Sequence, residues 1–98
     1  MPVQHTVVFR LRHEPGSTAE AAFLDHAQRV LAAIDGVEDF RVARQVSPKS
    51  DLAWQFSMRF ADDSAYAAYD ASAPHRRFVD ERWATEVEAF QEYDFEER

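Results

Sequence analysis

Tyr69 and His75 stand six residues apart in YDASAPHRRFVDERW, residues 69–83, and together offer an acid and a base. His75 follows Pro74, which suits the first turn of a helix because the amide there lacks a partner anyway. A histidine in that turn lies at the positive end of the helix dipole, which disfavours imidazolium. Burial beside Phe78 and Val79 would act in the same direction. Neutral imidazole near neutral pH suits general-base work. Tyr69 could then donate a proton or hold a substrate oxygen, stabilising a developing enolate or alkoxide. Such a pair supports proton abstraction next to a carbonyl, aldol-type ring closure, isomerisation or decarboxylation. His75 has a competing structural role, bonding a backbone carbonyl to fix a helix–helix junction. Tyr69 likewise has a competing role as a core or pocket-wall residue.

His5 is the third candidate. It lies on the apolar face of an alternating segment, where a histidine is either a satisfied core residue or a pocket residue that orients His75 or a ligand. His13 and His26 sit among charged residues and are expected to be solvated. No carboxylate falls at a helical or strand spacing that completes a metal site with His5 and His75, so none is expected. The chain has no cysteine and only two glycines, Gly16 and Gly36. That leaves no thiolate chemistry, no cysteine-ligated zinc and no glycine-rich phosphate loop.

The elements that must position these residues follow from periodicity. Residues 3 to 12 alternate, with Val3, His5, Val7, Phe9 and Leu11 on one face, which predicts a strand. Pro15-Gly16 breaks it. Ser17 to Glu20 reads as a capping box opening a helix whose stripe is Phe23, Ala27, Val30 and Ile34. Gly36 is placed to end that helix in a left-handed cap. Residues 38 to 46 alternate again, then a turn precedes Trp54, Phe56, Met58 and Phe60, the clearest strand in the chain. Asp62, Asp63 and Ser64 offer caps for a short helix through Tyr66 and Tyr69. A second helix opens at Pro74 with the stripe Val79, Trp83, Val87 and Phe90. A short strand over Glu92 to Glu97 closes the chain. Glu86 to Glu97 is expected to be a solvated helix face and edge-strand protection.

The order is β-α-β-β-α-β, the α+β, ferredoxin-like plan of an antiparallel sheet with helices on one face. Val7, Phe9, Phe23, Phe40, Trp54, Phe56 and Met58 would face the space between sheet and helices. They form plain core or wall a cavity for a small apolar or aromatic ligand. The other sheet face carries Thr6, Val8, Gln55 and Ser57, semi-polar as expected for a surface covered by a second subunit.

Length and charge bound the function. The 98 residues fit one domain, 1–98, and 46% hydrophobic content makes it globular. A net charge of −7 argues against nucleic acid, whose phosphates need a basic face, and against an anionic membrane surface. No apolar run approaches a membrane span, and Met1 to Arg12 is too short and polar for a signal peptide, so a soluble, cytoplasmic protein is expected.

Three segments carry a family resemblance: His5-Thr6-Val7-Val8-Phe9-Arg10-Leu11, Pro74-His75-x-x-Phe78-Val79, and Tyr93-Asp94-Phe95. Together, over essentially the whole chain, they resemble the stress-responsive dimeric α/β-barrel (Dabb) domain. The resemblance implies a ferredoxin-like monomer whose sheet packs on its partner's to form a dimeric barrel. The family holds plant stress proteins, bacterial members without assigned activity, and a plant polyketide cyclase that makes olivetolic acid. The resemblance to that cyclase implies catalytic roles for Tyr69 and His75, a helper role for His5, and no metal or cofactor. Trp54 stands where the cyclase has a further pocket histidine, so an indole would remove a titratable group and fill volume. Three functions follow as expectations: a cofactor-independent acid–base enzyme acting on a small carbonyl or polyketide-like compound, a non-catalytic stress or ligand-binding protein, or a small quinol-type monooxygenase of a related dimeric barrel family.

Overall fold

The computed structural model describes residues Met1–Arg98. In chain order they form β1 (Val3–Leu11), α1 (Thr18–Leu31), β2 (Glu38–Arg44), β3 (Trp54–Phe60), α2 (Asp63–Ala71), α3 (Ala73–Phe78), a π-helical turn (Val79–Trp83), α4 (Ala84–Glu86) and β4 (Val87–Phe95). The strands make one sheet in the order β2-β3-β1-β4, every neighbouring pair antiparallel. This is the ferredoxin-like α+β fold.

Paired residues in an antiparallel ladder share a face, so the register sorts the sheet. Val7 lies opposite Phe56 and Glu92, and Phe9 lies opposite Trp54 and Phe90. These point toward the helices. Thr6 lies opposite Ser57 and Tyr93, and Val8 opposite Gln55 and Gln91, on the far face. α1 lays Phe23, Ala27 and Leu31 on the inner face, where Phe9, Phe23, Phe56 and Phe60 are the largest fully buried side chains. Phe9 and Phe23 meet edge to face at 5.9 Å. Each such ring is worth about 1.5–3 kcal/mol of burial.

Three local expectations change. Ser17 accepts from the Glu20 amide as a cap, but Glu20 reaches past Ser17 to accept from the Gly16 amide at 2.9 Å and the Trp54 indole at 3.1 Å. α1 ends at Leu31 rather than at Gly36; two tight turns follow, with Gly36 taking its positive φ of 89° in the second. The helix expected from Pro74 through Phe90 stops at Glu86, so Val87 and Phe90 are strand residues and the closing strand is longer than expected. The physical reason is β1. Its second edge carries main-chain donors and acceptors that need partners, and β4 supplies them along most of the strand. That outweighs the helix propensity of the Glu- and Ala-rich segment. No helix is long and apolar enough to cross a membrane.

Candidate functional site

A cavity of about 400 Å³ lies between the inner face of β1, β3 and β4 and the segment from α2 to α4. It is large enough for a small organic ligand. His5, Tyr69 and His75 all line it, as do Val7, Phe56 and Met58. Four other expected walls do not. Phe9 and Phe23 are wholly enclosed in the core, and Phe40 and Trp54 pack against that core away from the cavity. The Trp54 indole is committed elsewhere, donating to Glu20 with the Arg44 guanidinium 4.9 Å above its ring. It therefore leaves the cavity open.

Ser72 sets the geometry of the polar end. It closes α2 and caps α3: its hydroxyl donates to the Tyr69 carbonyl at 2.7 Å and accepts from the His75 amide at 3.3 Å. The chain turns sharply there, and the Tyr69 and His75 rings come to 4.6 Å, centroid to centroid. His75 Nδ1 lies 3.0 Å from the Asp70 carbonyl oxygen. A carbonyl only accepts, so Nδ1 carries the proton, and in the neutral ring Nε2 keeps its lone pair. No side chain or backbone group of the chain bonds Nε2. The junction role and an available base nitrogen thus coexist in one ring.

Tyr69 is 3% exposed, and its hydroxyl has no hydrogen-bond partner in the chain. No fully enclosed side-chain polar atom lacks a partner, so this hydroxyl is not fully enclosed, and Tyr69 is among the residues that line the cavity. Burial, then the neighbouring Tyr66, Asp70 and Glu92, push its pKa well above the ordinary tyrosine value. It is a hydrogen-bond donor throughout the neutral range.

His5 comes from β1. Its Nδ1 is 2.7 Å from Asp94 Oδ1 and its Nε2 3.7 Å from Glu92 Oε2, both carboxylates on β4. Its ring also faces Tyr66 at 5.0 Å. Burial, then Asp94, Glu92 and Asp70, raise the Tyr66 pKa. Glu92 and Asp94 are exposed on the edge strand as expected, yet they stand on the inner face of β4, and Glu92 also lines the cavity. The signal was the alternation Phe90, Glu92, Asp94, which sequence reasoning read only in part as a strand. His13 is likewise not simply solvated: its Nε2 bonds Glu86 at 2.6 Å. His26 stays near the surface, with its ring stacked 6.1 Å from Phe78.

The π-helical turn supplies the remaining wall. The Ala84 amide donates to the Val79 carbonyl, one residue farther than in an α-helix. The widened turn brings Val79, Trp83 and Ala84 to the same cavity. No group of three or more histidine and carboxylate side chains converges as a metal site. A second concavity of about 500 Å³ lies on the far sheet face, walled by Gln4, Arg41, Ser57, Phe95 and others. It holds no histidine or tyrosine.

Solved structures share this architecture. A ferredoxin-like Dabb family protein from Mesorhizobium loti is 45% identical, with 99% of this chain and 97% of that one covered at a TM-score of 0.98. The hydroxynitrile lyase of Passiflora edulis is 12% identical, with 96% and 91% covered at a TM-score of 0.81. A dimeric protein of unknown function from Bacteroides fragilis is 17% identical, with 97% and 95% covered at a TM-score of 0.69. No protein of curated function matches the chain. The model of the stress responsive A/B barrel domain, Dabb, matches residues 3–97. The chain therefore belongs to the Dabb family.

Proposed function

We propose that the cavity carries cofactor-independent acid–base chemistry on a small, mainly apolar carbonyl compound. One observation carries this reading: His75, whose Nε2 keeps a free lone pair, and Tyr69, whose hydroxyl has no partner in the chain, line the same cavity. His75 Nε2 removes a proton next to the carbonyl. Tyr69 donates to the carbonyl oxygen and stabilises the enolate or alkoxide that develops. His5, held by Asp94, helps orient the ligand. A lyase of hydroxynitriles on the same fold supports this class of chemistry by analogy only.

Deuterium incorporation next to the carbonyl of small aryl ketones in D2O, followed by NMR, tests the proposal without the natural substrate. Wild-type protein should accelerate incorporation, and His75→Ala should remove roughly 100- to 10,000-fold of any such acceleration. No acceleration over buffer by the wild type removes the enzymatic reading. The second reading is a non-catalytic ligand-binding protein. It is favoured by the His75 bond to the Asp70 carbonyl, which fastens the α2–α3 junction. In that case His75→Ala lowers the melting temperature with no activity to lose.

We also propose that the far sheet face pairs two copies of the chain. Tyr93 and Phe95 stack at 6.0 Å on that face while 45% and 52% exposed. Large apolar side chains on an otherwise semi-polar sheet mark an interaction surface. Dimeric relatives of the same fold support this arrangement.

A further inference from the structure

We infer that the cavity selects its ligand by charge: it takes an aryl compound without negative charge and rejects the carboxylate of the same shape, with Asp70 and Glu92 as the selecting residues. The inference deepens the proposed function, since it rests on this cavity being the ligand site.

Ten of the 14 lining residues are hydrophobic, and the only charged ones are Asp70 and Glu92. No arginine or lysine lines the cavity. Three arginines form ion pairs, all elsewhere: Arg10 with Asp51 and Glu88, Arg41 with Asp39, and Arg82 with Glu86. The ion-pair partners of Asp70 and Glu92 are histidines alone, His75 at 4.0 Å and His5 at 3.7 Å. Their side chains are 67% and 55% exposed, so they stand on the solvent-facing side of the cavity.

The second, independent observation is the Tyr69 hydroxyl. Tyr69 lines the cavity with its ring buried, while its hydroxyl is not fully enclosed and has no partner in the chain. It awaits an acceptor oxygen. An amide or ketone oxygen satisfies it, and so does a carboxylate. Only the carboxylate then meets repulsion from two like charges. Phe78, Trp83 and Phe90 also line the cavity, and a ring face turned to the ligand favours a cation over an anion. Two half-exposed carboxylates at several ångströms weaken an anion by roughly tenfold.

Benzamide, benzoate and benzamidinium test this directly, because they share one planar shape and differ in charge. Each is titrated into the full chain at about pH 8, above the ordinary histidine range, and amide shifts are followed by 15N NMR. Benzamide and benzamidinium should perturb amides around Tyr69, His75 and Phe90, and bind about tenfold more tightly than benzoate. Added salt should narrow the gap. Glu92→Gln and Asp70→Asn should each narrow it, and the double variant should bring benzoate within about threefold of benzamide. Benzoate binding as tightly as benzamide overturns the inference. So does a gap untouched by the variants, or the absence of perturbation by all three probes. The two proposals fail separately. A charge preference with no deuterium exchange sinks the catalysis alone, and exchange without the preference sinks the selection alone.

Discussion

Replacing Tyr69 by phenylalanine separates a functional hydroxyl from a structural one. The ring is held by Phe60 at 5.0 Å, His75 at 4.6 Å and Tyr66 at 6.5 Å, and all three contacts survive the substitution. Only the hydroxyl is lost, and it bonds nothing in the chain. Burying a hydroxyl without a partner costs about 1–3 kcal/mol, but water reaching this one through the cavity removes most of that cost. Tyr69→Phe should therefore range from unchanged to about 1 kcal/mol more stable. Tyr69→Ala, which removes the ring, should lose about 3–5 kcal/mol. Urea unfolding followed by circular dichroism reads both, and 1 kcal/mol corresponds to about 4–8 °C in melting temperature for a chain of this size. Alkaline titration gives a second readout. The folded-state pKa of Tyr69 is raised, so its contribution is fully present below the ordinary tyrosine pKa and is lost as pH rises through the folded value. Tyr69→Phe should flatten that alkaline decline. A destabilisation above about 1 kcal/mol at neutral pH would show that the hydroxyl holds the fold, and its role as a donor to ligand would fall.

Glu86 ties the end of β1 to α4. Burial pushes its carboxyl up, but bonds from His13 and Arg82 outweigh that and hold it below the usual range. Glu86→Gln should lose about 1–2 kcal/mol at neutral pH. Because the folded pKa is depressed, the difference from wild type is present above the ordinary glutamate pKa and should vanish as pH falls through the folded one; a difference that persists in acid contradicts the ion-pair account. On the far sheet face, Phe95→Arg places a cation beside Arg41 and Arg59 in one concavity. Light scattering should show a dimer in the wild type and a monomer in the variant, with the fold retained by circular dichroism. A variant that stays dimeric moves the interface elsewhere.

The placement of His5, Tyr69 and His75 was legible in part. Alternation from Val3 to Leu11 turns His5 inward, and Pro74 marks the first turn of a helix, although Ser72 is the residue that closes α2 and caps α3. The cavity's outline was not legible. An aromatic residue type shows that a side chain is buried, not where the helices leave room. Phe9 and Phe56 lie on adjacent strands with rings 4.6 Å apart, yet only Phe56 reaches the cavity. The π-helical turn has no compositional signature, so the grouping of Val79, Trp83 and Ala84 stayed hidden. Val79, Trp83, Val87 and Phe90 also mimic helical spacing. The choice between helix and strand there is made by the free edge of β1, a tertiary fact. Missing it hid Phe90, Glu92 and Asp94 from the site.

β4 links the two proposals. Its alternate residues serve opposite faces: Phe90, Glu92 and Asp94 turn toward the cavity and His5, while Gln91, Tyr93 and Phe95 turn toward the proposed dimer surface. Strand geometry makes this separation strict, since a slip of one residue would exchange the two sets. Such a slip would bring Tyr93 to His5 and send Glu92 to the far face. As an edge strand, β4 is fixed by its ladder with β1, by inner-face contacts such as Phe90 on Trp83 and Asp94 on His5, and by whatever covers its outer face. A partner subunit seated on Tyr93 and Phe95 would hold the register that keeps Glu92 at the cavity mouth and Asp94 on His5. Ligand selection in one subunit would then depend on contact with the other, although no residue of the second subunit need enter the cavity.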